Sequence, residues 1–325
     1  MDKHKTSGRN FMKRTLSLGL ITALTLVPAT HALAEWKPSG PITLNIGFKA
    51  GGGTDTQARL IGEELSKKLG WKFIFKNVAG KGGSNLARTL KGGATDGLTI
   101  GMAVTPTFAY NPLLSKKIGY TADDFEYIIS TAPTQMGLVV RKDSGWKNMA
   151  DVVNAAKGGK LKFAIMSPRL GDAAYLISKK YGVKFNTVKA KGGRGVLNGL
   201  MAKDVDVGFI AGIHVKGVKS GDLINIASAE TTRLTMSPSV PTLMEMGIPY
   251  EFGVTFVVFA PKGIDPKAKD AIAAAFKGVL SDEKSKARAF VKRAFGEPPL
   301  KTGDALAKQV ADELTNNKKV LATIQ

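Results

Sequence analysis

The feature that most constrains this chain is a repeating order of short apolar strand, glycine-containing turn and amphipathic helix. Residues 41–48 (PITLNIGF) read as a strand. From Thr54 the apolar positions Ala58, Ile61, Leu65 and Leu69 recur at helical spacing until Gly70 stops them. Phe73 to Phe75 and Leu98 to Val104 read as further strands, with a helix from Ser84 to Leu90 and the turn Asp96-Gly97 between them. A second set follows Gln135, with strands over 138–140, 161–166, 205–210 and 223–227. Its helices cover 173–181, closed by Gly182, and 196–202. After a strand over 255–260 the pattern becomes helical, from the Asp265-Pro266 start through 268–280, 284–293 and 303–321. Strands alternating with helices predict an α/β architecture built on a largely parallel, helix-covered sheet. No low-complexity linker separates the two sets, so lobes joined by crossing strands are expected rather than beads on a tether.

The first residues read as an address. Lys13 and Arg14 precede a mainly apolar run over 16–27, and Ala32-Leu33-Ala34 supplies the small-x-small pattern that signal peptidase reads. The run is short for a membrane-crossing helix, which leaves an N-terminal anchor as the lesser alternative. With no cysteine in the chain, a lipid-anchored form is excluded. Met12 is an alternative start. Cleavage after Ala34 is expected, giving a soluble, periplasmic protein that begins at Glu35 and is long enough for two domains. The absence of cysteine also excludes disulfides and thiolate chemistry.

The formal net charge is +21; five of the cations and one acid fall in the first 34 residues, which leaves +17 for the rest. Such a balance attracts anions of every kind. The lysines come as scattered pairs near predicted helix ends, such as Lys67-Lys68 and Lys179-Lys180, where cations favour the helix dipole. No basic stretch is interleaved with aromatic residues, so nucleic acid is not an expected partner. A field that steers small acids fits better.

Enzyme motifs are missing in turn. The histidines are His4, His31 and His214, of which the first two fall in the leader, so a histidine-based or metal site is not expected. There is no G-x-S-x-G elbow, H-E-x-x-H helix or G-x-x-x-x-G-K-[ST] loop. The cluster Gly80-Lys81-Gly82-Gly83-Ser84 has the wrong spacing for a phosphate loop. A lone His214 reads as a structural or surface residue. A Ser-Lys or carboxylate-only mechanism stays open on sequence grounds, but no cofactor and no catalysis are expected.

Glycine-rich turns that open helices are what remains. Phe48-Lys49-Ala50-Gly51-Gly52-Gly53-Thr54-Asp55 lets backbone approach a ligand closely. Thr54 and Gln57 have capping-box spacing, so a helix is expected to start at Thr54 with its first N–H groups facing whatever sits on the loop. A second loop, Ser167-Pro168-Arg169-Leu170-Gly171-Asp172, leads into a helix expected near Ala173, with Ser167 or Asp172 as its cap. Arg169 would add a guanidinium where an anion sits.

The chain resembles the substrate-binding receptors of tripartite tricarboxylate transporters, the Bug proteins. The carriers are Pro41-Ile42-Thr43-Leu44, Gly51-Gly52-Gly53-Thr54-Asp55 with Ala58-Arg59, and Asn77-Val78-Ala79-Gly80-Lys81-Gly82-Gly83-Ser84. They continue with Asp96-Gly97-Leu98-Thr99, Arg233, Val240-Pro241-Thr242-Leu243-Met244-Glu245-Met246-Gly247 and Ala260-Pro261-Lys262-Gly263. Each is weak alone; their order along the chain is specific. The resemblance implies a type II periplasmic-binding-protein-like fold, two α/β lobes joined by crossing strands. It places lobe 1 at 35–135 plus 256–325 and lobe 2 at 136–255. It implies capture of a small carboxylate for delivery to membrane permease subunits, by a monomer. A sensory receptor of the same fold, docking onto a signalling partner, would share every binding residue and stays open. A porphobilinogen-deaminase-like transferase would need a cysteine for its cofactor.

The implied ligand-binding residues are Phe48, Gly52, Gly53, Thr54 and Asp55 of the first loop, and Ser167, Arg169, Gly171 and Asp172 of the second. Thr105, Gly192 and Asp206 join them, with Thr107 as a further wall residue. The chain departs from the family pattern at Lys49, at Ala79, over Ile165-Met166-Ser167-Pro168-Arg169, and over Val188-Lys189-Ala190-Lys191-Gly192. These departures fall where a ligand would be chosen. They lead to the expectation that Arg169 pairs directly with a ligand carboxylate while Ile165 and Met166 touch an apolar part of it; a solvent-facing Arg169 beside Pro168 is the alternative.

Overall fold

The computed structural model describes residues 36–324; the expected leader lies outside the described residues. In chain order the elements are β1 (Ile42–Ile46), α1 (Gly53–Leu69), β2 (Phe73–Asn77), α2 (Ser84–Leu90), β3 (Thr99–Val104), α3 (Pro106–Ala109), α4 (Asn111–Leu114) and β4 (Phe125–Ala132). Next come β5 (Met136–Arg141), α5 (Met149–Ala156), β6 (Lys162–Ile165), α6 (Pro168–Tyr181), β7 (Asn186–Lys189), α7 (Gly192–Met201), β8 (Val207–Ala211), α8 (Val215–Ser220) and β9 (Leu223–Ser228). The chain ends with β10 (Phe256–Pro261), α9 (Pro266–Ser281), α10 (Lys286–Ala294) and α11 (Gly303–Ile324).

Local chemistry explains the clearest of these. Ala58, Ile61 and Leu65 of α1 are buried, although Leu69 is half exposed. Gly70 ends the helix in the left-handed conformation (φ 70°) that carries no penalty without a Cβ. Asp265 caps α9 by accepting from the Lys267 N–H, with Pro266 at the first helical position.

The strands form two five-stranded sheets, ordered β2-β1-β3-β10-β4 and β7-β6-β8-β5-β9. Both are mixed rather than largely parallel. β1 runs parallel to β2 and β3, and β6 to β7 and β8, as strand-helix-strand units require. The antiparallel members are the strands that enter from the other sheet. Phe256, the first residue of β10, lies opposite Val104, the last of β3. Met136, the first of β5, lies opposite Ala211, the last of β8. A chain that returns at the edge where its neighbour leaves must run the opposite way. Residues 133–135 make one crossing; 229–255, whose Leu243, Ile248 and Phe252 pack in the core of the second sheet, lead into the other.

Each sheet is covered on both faces, so its central strands are buried throughout. In lobe 1, Ile42, Leu44, Ile61, Ile272 and Phe276 fill one face. Phe108 fills the other, with ring centroids 4.8 Å from Phe259 and 5.1 Å from Tyr127. In lobe 2, Phe163 and Phe209 anchor one face and Val196 and Leu200 the other. α11 belongs to both lobes: Leu306 and Val310 pack in the lobe 1 core and Val320 in that of lobe 2. The helix is therefore a third connection, beside the two crossings. No helix among the described residues is long and apolar enough to cross a membrane.

Candidate functional site

The cleft between the lobes, about 610 Å³, is lined by the ends of strands and the starts of helices from both sheets. α1 begins at Gly53, with Gly52 as an N-cap that makes no side-chain bond. The expected Thr54 cap is thus corrected: Thr54 lies inside the first turn and is buried. A Cβ at Gly53 would fall 2.5 Å from Cζ of Phe295, so any side chain there forces the ring or the loop to shift. α6 begins at Pro168, five residues before the expected Ala173, and Ser167 Oγ caps it by accepting from the Leu170 N–H at 3.4 Å. α7 begins at Gly192 instead of Val196, again with no side-chain cap, on Lys191. Three helix N-termini therefore point at one cavity, where their unpaired N–H groups and dipoles favour negative charge.

Of the residues expected at the site, Phe48, Gly52, Gly53, Thr54, Ser167, Arg169 and Gly192 line the cleft. The others do not. Asp55 holds the first loop together: Oδ2 accepts from the Gly51 N–H at 3.0 Å, and Oδ1 from Arg59 Nε and Asn77 Nδ2, both at 2.9 Å. Burial pushes its carboxyl up, but the bonds from Asn77, Gly51 and Arg59 outweigh this and hold it below the usual range. Thr105 is buried and accepts from the Thr255 N–H at 3.2 Å, tying β3 to the second crossing. Thr107 donates to the Gly82 carbonyl at 2.8 Å and so props the glycine loop from behind. Gly171 faces the Ile165 methyl. Asp172 accepts from the Tyr110 hydroxyl, a contact between lobes, and burial pushes its carboxyl up.

Asp206 is at the wrong end of the sheet. Its Oδ2 accepts from the Lys162 N–H at 2.8 Å, beside the start of β6. β8 runs from there toward Ala211 at the cleft, roughly 16 Å away at the rise of a strand.

Arg169 is neither solvent-facing nor a free fork. It is 7% exposed. Nε donates to Asn317 Oδ1 at 3.0 Å, Nη1 to the Gly253 carbonyl at 3.0 Å and Nη2 to the Glu251 carbonyl at 2.8 Å. Each guanidinium nitrogen has a protein acceptor, and the side chain anchors the second crossing and α11 at the cleft wall. His214 is fully buried, with Nε2 3.1 Å from Asn225 Oδ1, and burial pushes it down to about 4, so it is neutral at physiological pH.

Sequence reasoning missed several wall residues. Gly80, Lys81 and Gly82 line the cleft, although the same glycine cluster was read as a family motif and a failed phosphate loop and not as a binding element. Lys191, Gly193 and Arg194 line it from α7, where Gly192-Gly193 beside two cations was an available signal. Arg194 Nη2 reaches across to the Gly51 carbonyl at 3.2 Å. Phe252, Phe256 and Phe295 carried no local signal. Among the described residues, the lining holds five cations (Lys49, Lys81, Arg169, Lys191 and Arg194) and no carboxylate or histidine. Among the described residues there is no cluster of His, Cys, Asp and Glu that could hold a metal.

Two mixed α/β lobes with a cation-lined cleft between them define a solute-binding protein of the periplasmic-binding-protein class. The profile of the tripartite tricarboxylate transporter family receptor matches residues 57–325, and the chain belongs to that family. It is 32% identical to a UPF0065 protein in the gbd 5′ region of Cupriavidus necator, over 86% of this chain and 84% of that one. The fold is similar to that of MatC from Rhodopseudomonas palustris, solved with bound malate (TM-score 0.77, 24% identity, 87% of this chain and 99% of that one). It is also similar to an R. palustris protein solved with adipate (TM-score 0.79, 24% identity, 88% and 97%).

Proposed function

We propose that this protein captures a small carboxylate in the periplasm, closes its lobes on it and delivers it to the permease subunits of a tripartite tricarboxylate-type transporter. The observation that carries the reading is the cleft lining: five cations, three helix N-termini and no acid. An anion touching both lobes favours the closed state by its differential affinity for it. Capture is reversible, the protein acts as a monomer, and the likeness to structures holding malate and adipate supports a carboxylate over other anions. The lobes divide near residues 135 and 255, with α11 riding on both. The leader is removed after Ala34 during export. Thermal-shift measurements against carboxylates and their amides test the reading, because a ligand that binds only the native state raises the melting temperature. Equal shifts from acids and amides would overturn it. Intact mass of the exported protein tests the leader, with a chain starting at Glu35 as the expected product.

A further inference from the structure

Apart from Thr54 at the start of α1 and the exposed Asn198, the polar side chains inside the cleft already have protein partners. Thr134 Oγ1 donates to Glu230 Oε1 at 2.7 Å and accepts from the Val254 N–H at 2.8 Å. Asn111 Nδ2 donates to the Gly82 carbonyl at 3.0 Å and to Ser84 Oγ at 2.9 Å. Ser167 Oγ caps α6, and the Arg169 nitrogens hold Asn317, Gly253 and Glu251. What faces the cavity between these groups is hydrocarbon, ring and thioether: Phe48, Phe252, Phe256, Phe295, Met136 and Met166. The remaining cations, Lys49, Lys81, Lys191 and Arg194, are exposed and stand at the rim.

The two uncapped helix starts sit on this apolar floor. The Phe295 ring lies directly beneath Gly53 at the start of α1. A Cβ on Gly193, at the start of α7, would lie 3.7 Å from Ile213 Cδ1 and 4.0 Å from Met166 Sδ. Backbone donors for a carboxylate are thus placed beside surfaces that are chiefly ring, methyl and thioether, with Thr54 the polar side chain among them.

We infer that the ligand is an acid with an apolar body, aromatic or branched aliphatic, rather than one carrying hydroxyls or carboxylates along its length. The inference rests on the carboxylate reading above and deepens it. A hydroxyl pressed against Phe252, Phe256 or Met166 gives up its water and gains no partner, which weakens binding by roughly tenfold for each such group. An apolar body gains from the same surface. A cavity of about 610 Å³ is of the size that encloses a small molecule with a ring or a branched chain.

Isothermal titration of the purified protein with phenylacetate, 4-methylpentanoate, malate, citrate and phenylacetamide tests the inference. Expected is binding of at least one apolar acid at least tenfold tighter than malate or citrate, with no binding of the amide. Met166→Gln and Ile213→Asn are expected to narrow that preference at least threefold, with circular dichroism confirming that both variants fold. Malate or citrate binding as tightly as the apolar acids overturns the apolar body and leaves the carboxylate reading standing. So does a preference unchanged in whichever variant folds. Amide binding as tight as acid binding, or no binding by any of the four acids, overturns the carboxylate reading and this inference with it.

Discussion

Nε of Arg169 donates to Oδ1 of Asn317 at 3.0 Å, and Nδ2 of the same asparagine donates to the carbonyl of Ala109 at 3.1 Å. One buried amide on α11 therefore joins the start of α6 in lobe 2 to α3 in lobe 1. The other two guanidinium nitrogens hold the backbone of the second crossing. Arg169 is thus a tie at the junction of the lobes.

Arg169→Met is expected to destabilise the protein by about 3–5 kcal/mol, because one buried and two half-buried acceptors lose a charged donor at once. Arg169→Lys should recover only part, since an ammonium cannot reach three acceptors spread around a planar fork. Urea unfolding of the three proteins checks this. A loss below about 1 kcal/mol for the methionine variant would show that the tie is not structural.

Gly53→Ala is expected to lower stability by about 1–3 kcal/mol, the range for overpacking, because its Cβ would meet the Phe295 ring at 2.5 Å. Phe295→Leu in the same chain should restore part of the loss. A double-mutant cycle measures the coupling, and strict additivity would contradict the contact.

Arg194 is exposed and bonds the Gly51 carbonyl across the cleft at 3.2 Å. Arg194→Ala should leave stability within about 0.5 kcal/mol. Its affinity for an acid should fall by about 0.5–1.5 kcal/mol, the value of one net hydrogen bond, and more so at low salt. Asp206→Asn, at the far end of β8, should leave affinity unchanged. Titration calorimetry at two ionic strengths checks both.

Glu230 gives the junction a pH dependence. Removal from solvent pushes its carboxyl up to about 8, against the bonds it accepts from Thr134 and the Met136 N–H; Glu251 raises it further and Arg169 opposes this. Between about 4.5 and 8 the native state holds a proton that the unfolded state has released. The contribution is therefore fully present below the unfolded value and is lost as pH rises toward 8, by up to about 1.4 kcal/mol per pH unit. Glu230→Gln should flatten this fall. Unfolding free energies at pH 5 and pH 8 measure it, and parallel curves for wild type and variant would contradict it.

How much could be read in advance followed the range of the interaction. α2 matches its expected span, and the Asp265-Pro266 start and the Gly70 and Gly182 stops are present, because caps and left-handed glycines act over a few residues. Periodicity found the buried strands β1, β3, β6 and β10 but missed β4, α5 and β7 and the short helices α3, α4 and α8. The first glycine loop and Ser167 were located for the same local reasons. Asp55, Thr105 and Asp172 were in the right segments, yet their side chains face the protein. A segment's glycine content reports its backbone and not the partners of its polar groups.

The amino-acid sequence by itself determined the α/β alternation, the two sets of units, the excess of positive charge and the order of motifs that marks the family. These rest on neighbours in the chain, where steric preference and helix period operate. Only the tertiary structure decided that both sheets are mixed, that α11 spans the lobes, that Asp206 lies away from the cleft and that Arg169 is held by acceptors as far as 148 positions away. Those outcomes depend on where the chain crosses between sheets. A crossing fixes strand direction and sets which distant backbone carbonyls a buried cation must satisfy.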